Sequence, residues 1–211
     1  MVTAFIAAVP VAAQRGRTSK PTAKPKPVPP VTVAPTVSCP EQLGNGLRTH
    51  ATFCFVLAGR NPPDGVLIAV PPHSGEATLT FDLHNRHSYS EEEVKAGRGF
   101  AKYTAVVGIL TMTGELLGRG AVQTEFRNAR DLYDRITGGA GPGGVKAVAP
   151  LGREQVSVPI PSNVDQVSLL GEVLDAITPA GKEVATPGRP VAIISNVQLQ
   201  YVPAPPPRPR R

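Results

Sequence analysis

Residues 100–126, FAKYTAVVGILTMTGELLGRGAVQTEF, decide the fold that we expect for this chain. In the first half, apolar residues recur at every second position and so share one strand face: Tyr103, Ala105, Val107 and Ile109. The other face carries Val106, Leu110 and Met112, which predicts that the middle of the strand is covered on both sides. Thr113-Gly114 favours a tight turn, because Gly takes the positive φ that a two-residue hairpin needs. Residues 116–126 then return as a second strand, so we expect a hairpin in the middle of a sheet.

Further strands are predicted on either side of this hairpin, because short apolar and β-branched runs lie between Gly, Pro and Asn breakers. These runs are residues 51–57, 66–70, 77–83, 145–148, 154–160, 166–175 and 190–202. A helical turn is expected to begin at residues 90–93, which have capping-box spacing. Residues 127–136 change period and predict a short amphipathic helix that caps an open end of the domain.

Roughly nine strands, one short helix and no alternation of strands with helices predict an all-β fold. We expect an antiparallel β-sandwich or jelly roll over residues 38–203, flanked by disordered Pro-rich tails. The 24 Pro and 21 Gly among 211 residues favour the same class over a helical bundle.

Both ends of the chain differ in composition from this central region. Residues 1–13 are mostly apolar and small and end in Val-Ala-Ala, which is typical of the hydrophobic part of a signal peptide. The apolar run is too short to predict a transmembrane helix. Residues 14–37 are rich in Pro and Lys and indicate an extended, disordered spacer, and residues 204–211 form a similar Pro/Arg tail.

The net charge of +6 resides in these tails. Eight of the 22 basic residues lie there, which leaves 14 basic against 16 acidic residues, or about −2, for the rest of the chain. The folded part therefore lacks the basic surface expected of a nucleic-acid-binding domain. The basic tails can contact an anionic polymer or a membrane surface, and they can equally be simple spacers.

Cys39 and Cys54 are the two cysteines of the chain. An exported chain with two cysteines is expected to join them in a disulfide. Their spacing excludes a CxxC redox pair. A two-cysteine metal site would need histidine partners, and His50 is the one that lies nearby.

Asp82, His84 and His87 form the best polar constellation for chemistry, in the sequence FDLHNRH. If the strand continues through His84, Asp82 and His84 share its polar face, and His87 follows in the next loop. Three such side chains can bind a metal ion or supply a general base. The alternative is that these residues are simply solvated on a polar sheet face.

Other residues are candidates for ligand binding. Arg86 with Asn85 and His87 can contact a carbohydrate or a carboxylate at the edge of the domain, and Tyr89 can offer a stacking surface. His84 is a further candidate ligand-binding residue. The glycine-rich loop at residues 138–144, which contains Gly141 and leads into Lys146, lacks the order of a phosphate-binding loop and is better interpreted as a structural or ligand-rim loop. Glu91, Glu92 and Glu93 are interpreted as a solvated turn, with a calcium site as the alternative.

No nucleophile elbow of the GxSxG type occurs, and no Ser or Cys lies in an activating context. We therefore expect an exported, non-catalytic binding or assembly module of the bacterial cell envelope that needs no cofactor. Its partner is expected to be an envelope polysaccharide or a protein. The alternatives are a metal-dependent hydrolase or carbohydrate-active enzyme that uses Asp82, His84 and His87, and a structural subunit that self-associates.

Overall fold

The computed structural model describes residues 28–86, 88–99, 101–126, 128–140, 145–150 and 153–205. These residues contain fifteen strands, one short helix, α1 (Glu91–Lys95), and two 3-10 turns at Pro62–Asp64 and Ala129–Asp131. The strands are β1 (Val31–Val33), β2 (Val37–Ser38), β3 (Gln42–Asn45), β4 (Thr52–Leu57), β5 (Val66–Ala69), β6 (His73–His84), β7 (Ser88–Ser90), β8 (Ala101–Thr111), β9 (Leu116–Phe126), β10 (Leu132–Ala140), β11 (Val145–Pro150), β12 (Arg153–Ile160), β13 (Gln166–Thr178), β14 (Gly181–Val184) and β15 (Pro190–Pro203).

Two six-stranded antiparallel sheets make up most of the described chain. The first has the order β12-β6-β15-β4-β3, with β1 added on β15. The second has the order β2-β5-β13-β8-β9, with β14 added on β13. A smaller sheet, β10-β11-β7, shares no strand with either, and an isolated bridge between Gly46 and Ile136 joins β10 to the residues that follow β3. The predicted all-β class is therefore confirmed.

The main core is one hydrophobic cluster with members from both large sheets. Leu79 and Phe81 of the first sheet belong to it together with Val107 and Leu169 of the second, and each is at most 1 % exposed. Burying one such side chain contributes about 1.5–3 kcal/mol, so this cluster is the dominant stabilising contact. Two antiparallel sheets that share a core fit a β-sandwich. No helix in the described part of the chain combines the length and the apolar character needed to cross a membrane.

The hairpin of β8 and β9 forms where the sequence predicts it. Gly114 has a φ of 85°, which is the left-handed conformation that favours glycine. The loop is longer than the predicted two residues, because the amide of Thr111 donates to the carbonyl of Glu115 across a three-residue turn. The hairpin also lies at one side of the sheet, with β9 at the edge, and Val106 on its outer face is only half-buried. The prediction of a central, doubly covered hairpin was wrong in these respects.

The predicted helix at residues 127–136 is also wrong. The chain makes a 3-10 turn at Ala129–Asp131 and continues as strand β10. Two alternate residues of β10, Asp134 and Ile136, point inward and are 5 % and 7 % exposed. An apolar spacing this short fits either period, and the contacts made by these two residues favour the strand.

The folded region begins earlier than residue 38. Within the predicted spacer, Val31–Val33 pairs with residues 199–201 of β15, and Val37–Ser38 pairs with residues 67–68 of β5. The intervals between Pro30 and Pro35 and after Pro35 leave room for short edge strands, since Pro is tolerated at sheet edges. The last strand, β15, ends at Pro203. Residues 1–27 and 206–211 lie outside the described part of the chain.

The predicted disulfide between Cys39 and Cys54 is present. Their Cα atoms lie 5.6 Å apart, within the range that a disulfide requires. Cys54 belongs to β4 and is 3 % exposed. The bond therefore fastens the segment that follows β2 to an inner strand of the first sheet.

Candidate functional site

Asp82 and His84 lie on the same face of β6, as predicted, but that face is buried. Asp82 is 2 % exposed and His84 is fully buried. The interpretation of these residues as solvated was therefore wrong. The cause is an outer layer on the first sheet, in which Ile136 of β10 packs against Phe53 and Ile193 in a second hydrophobic cluster.

The buried carboxylate of Asp82 has two polar partners, and both of these are exposed residues. Arg153 of β12 forms an ion pair with Asp82 Oδ2, and the side-chain amide of Asn196 donates to the same oxygen at 2.6 Å. Asn196 has a φ of 51° in an irregular part of β15, between the paired residues Ser195 and Gln198. This bulge directs the Asn196 side chain at Asp82, since a bulge re-aims the residues of its strand.

His84 contacts Ser195 and two aromatic rings. His84 Nε2 and Ser195 Oγ share a hydrogen bond at 2.9 Å. The centroid of the His84 ring lies 5.2 Å from that of Tyr133 and 5.6 Å from that of Phe53. His84 therefore links β6 to β15 on one side and to β10 on the other.

A serine that is hydrogen-bonded to a histidine is a starting point for nucleophilic catalysis. Here Ser195 is 1 % exposed, so a substrate cannot reach its hydroxyl in this conformation. Asp82 does not complete a triad, because its Oδ2 accepts hydrogen bonds from Arg153 and Asn196. We call Asp82, His84, Arg153, Ser195 and Asn196 the Asp82 cluster; its first two residues and Ser195 are buried, and Arg153 and Asn196 are exposed. The geometry of this cluster supports a role in joining strands.

Tyr133 connects the small sheet to this cluster. The guanidinium carbons of Arg153 and Arg48 lie 5.2 Å and 5.7 Å from the centroid of its ring. Arg48 also donates a hydrogen bond to the Tyr133 carbonyl. Each cation over the ring contributes about 0.5–1 kcal/mol at a partly exposed position.

Asp134, the next residue, fixes the turn at residues 46–50. Its Oδ2 accepts from the amide and the hydroxyl of Thr49 at 2.9 and 2.6 Å, and its Oδ1 accepts from the amides of Arg48 and Arg135 at 3.1 and 2.8 Å. Burial raises the pKa of Asp134, but the hydrogen bonds from Thr49, Arg48 and Arg135 outweigh burial and hold that pKa below its ordinary value.

The predicted metal site is not assembled by the described residues. His87 lies outside them, and no group of three or more His, Cys, Asp or Glu side chains among the described residues could hold a metal ion. The metal role of Asp82, His84 and His87 remains a prediction. The calcium site that was the alternative for Glu91–Glu93 also remains a prediction. Both carboxylate oxygens of Glu93 accept hydrogen bonds from Arg98 at 2.8 Å.

Arg86, a predicted ligand residue, lines an open pocket of about 380 Å³. We call it the Arg86 pocket. Its lining is formed by Phe55, Arg86, Leu174, Glu183, Val184, Thr186, Arg189 and Pro190. Arg86 forms an ion pair with Glu183 of β14, and its side chain is 26 % exposed.

Buried polar atoms lie beside this pocket. The Nε of Arg86 and the hydroxyl of Tyr103 have no hydrogen-bond partner among the described residues. Burial lowers the pKa of Arg86, and Arg189 lowers it further, whereas Tyr103 raises it. Burial also raises the pKa of Tyr103, against the opposing effect of Arg86. Two cations therefore lie close enough in this pocket to influence each other.

The other predicted ligand residues lie elsewhere or are not described. The backbones of Tyr89 and Lys146 pair with each other between β7 and β11. Gly141 lies outside the described residues. Three further lining residues, Phe55, Glu183 and Arg189, were not predicted from the sequence. The available signal for Arg189 was its position in the breaker sequence TPGRP, which predicts an exposed loop.

A comparison of the chain with protein-family models and with curated proteins finds no match.

Proposed function

We propose that this chain is an exported, non-catalytic binding module of the bacterial cell envelope, and that it binds its ligand in the Arg86 pocket. The observation that supports this most is the contrast between the two polar sites. Asp82, His84 and Ser195 of the Asp82 cluster are closed to solvent, whereas the Arg86 pocket is open and contains two arginines. Its volume falls within the range of small-molecule sites.

The proposed cellular location is supported by two features. The apolar residues 1–13 are typical of a signal peptide, and the disulfide between Cys39 and Cys54 fits an oxidising compartment. A periplasmic or cell-surface location accommodates both. Expression in a bacterial host and mass spectrometry of the exported protein test this. A mature chain that begins near Gln14 is expected, and retention of Met1 in the cytoplasm would contradict it.

The binding test uses the full chain and insoluble envelope polysaccharide, with the bound fraction measured after sedimentation. Arg189→Gln removes a cation from the pocket without removing a described structural contact of that side chain. A lost charge-assisted hydrogen bond costs about 1.5–3 kcal/mol, so we expect affinity to fall by about tenfold or more.

Arg119→Gln is the matched control. Arg119 lies on β9, where its partner is Glu172 at 2.6 Å, and the substitution removes the same charge outside the pocket. We expect this variant to bind as the unaltered chain does. Equal binding by all three proteins would exclude the Arg86 pocket as the binding site.

The hydrolase alternative has weaker support, because two of its residues already have protein partners. Asp82 accepts hydrogen bonds from Arg153 and Asn196, and His84 shares a hydrogen bond with Ser195. Metal analysis of the purified protein and of a variant with alanine at positions 84 and 87 tests it. A stoichiometric metal that is lost in the variant would favour the enzyme.

Self-association is favoured by one observation. Val173 and Ile177 share the outer face of β13 and are 47 % and 45 % exposed. Exposed aliphatic side chains on a sheet face are a common feature of protein interfaces. Sedimentation velocity at increasing concentration tests this, and Val173→Lys should abolish any assembly that uses the face.

A further inference from the structure

We infer that the Arg86 pocket selects a sugar that carries a single carboxylate, that is, a uronic acid residue of an acidic polysaccharide. This inference rests on the proposed function and specifies the chemistry of its ligand. Three features of the pocket support this inference: its charges, its apolar wall and its size.

The charges favour one negative group. The pocket contains two arginines and one glutamate, so its formal balance is +1. Glu183 is paired with Arg86, whereas the guanidinium of Arg189 has no ion pair with any described residue. A guanidinium binds a carboxylate through two parallel hydrogen bonds. One carboxylate would balance the pocket, whereas a phosphate dianion would leave excess charge close to Glu183.

The apolar wall favours a ring over a simple carboxylate. Phe55 is half-buried in the pocket, and Leu174 and Val184 add aliphatic surface. Aromatic rings have a negative face that attracts the polarised C–H groups of a sugar ring. A short acid such as acetate or an N-acylated amino acid would leave this wall uncovered.

Polar groups at the rim can hold sugar hydroxyls. Thr186 has a hydroxyl whose contact with the Val184 carbonyl is long, at 3.5 Å. Glu183 binds Arg86 through Oε2, and a carboxylate has capacity for further hydrogen bonds. A volume of about 380 Å³ is near the lower limit for ligand sites, which suits one or two sugar units.

The test is titration of isotope-labelled full-length protein by NMR with four probes. They are methyl glucuronide, methyl glucoside, glucose 6-phosphate and N-acetylglycine. We expect methyl glucuronide to shift the backbone amides of the non-proline residues in 183–189 and to bind about tenfold more tightly than each of the other probes. Arg189→Gln should abolish that preference, and Arg119→Gln should retain it.

Glu183→Gln gives an independent check, because it raises the pocket charge to +2 without changing its shape. We expect glucose 6-phosphate to gain affinity relative to methyl glucuronide in this variant. Equal or tighter binding of the glucoside, the phosphate or N-acetylglycine by the unaltered chain would overturn the inference while leaving a pocket that binds ligands. No shift at residues 183–189 with any probe, together with polysaccharide binding that Arg189→Gln does not affect, would overturn the proposed function as well.

Discussion

Asp134 provides the most direct test of how the small sheet is held on the first large sheet. Its two oxygens accept four hydrogen bonds from Thr49, Arg48 and Arg135 at 2.6–3.1 Å. Asp134→Asn keeps the size of the side chain but replaces one oxygen by an NH₂ group. Whichever oxygen is lost, donors that were bound to it then face another donor.

The expected loss in the free energy of unfolding follows from the removal of about two hydrogen bonds at a carboxylate that is 5 % exposed. A buried donor left without its acceptor costs about 1–3 kcal/mol, so we expect the free energy of unfolding to fall by about 2–3 kcal/mol. With a urea m-value of about 2 kcal/mol/M, the midpoint of unfolding should fall by about 1–1.5 M.

The assay is urea unfolding followed by circular dichroism. Asp64→Asn is the control, because Asp64 is exposed and bonds only to the nearby Asn61 among the described residues. It should change stability by less than about 0.5 kcal/mol. If Asp134→Asn changes stability no more than this control does, the carboxylate does not hold the turn at residues 46–50, and our account of how β10 is attached is wrong.

Three further predictions concern pH, the disulfide and core packing. Hydrogen bonds lower the pKa of Asp134 in the folded state. Its contribution to stability is therefore complete above the ordinary carboxyl pKa and is lost as pH falls through the lowered value. The variant Asp134→Asn should accordingly show a smaller loss of stability at acidic pH than the unaltered chain. Denatured, non-reduced protein should show no free thiol, and replacing Cys39 and Cys54 by Ser should cost about 3 kcal/mol for their 15-residue separation. Gly171→Ala would place a Cβ 2.6 Å from the Cβ of the buried Val191, so thermal unfolding should show a loss of about 1–3 kcal/mol.

Much of the fold could be predicted because the relevant signals are local. The alternation in residues 100–126 requires only neighbouring positions, and the turn requires only Gly114. The same holds for β5, β12 and β15, whose apolar runs lie between strong breakers. The short strands β1, β2, β3, β7 and β14 were missed, because segments of two to four residues are too short to show a period.

The failure at β10 has a different cause. The apolar positions 129, 132, 133 and 136 fit a helix, and the spacing of Asp134 and Ile136 fits a strand. Ile136 packs on Phe53 and Ile193, and Asp134 binds Thr49, which is 85 positions away in the chain. Tertiary contacts of this kind override a short periodic pattern.

The all-β class, the β8–β9 hairpin and the disulfide could be predicted from the sequence, since alternation, breakers and cysteine count act over short distances or by composition. The place of that hairpin at the edge of its sheet could not. Which polar residues are buried and which line an open pocket depends on the tertiary structure alone. Ser195 reaches His84 across 111 positions, and Glu183 reaches Arg86 across 97. Strand pairing brings these residues together, and no local pattern records it, because the order of strands in a sheet depends on the packing of the whole domain.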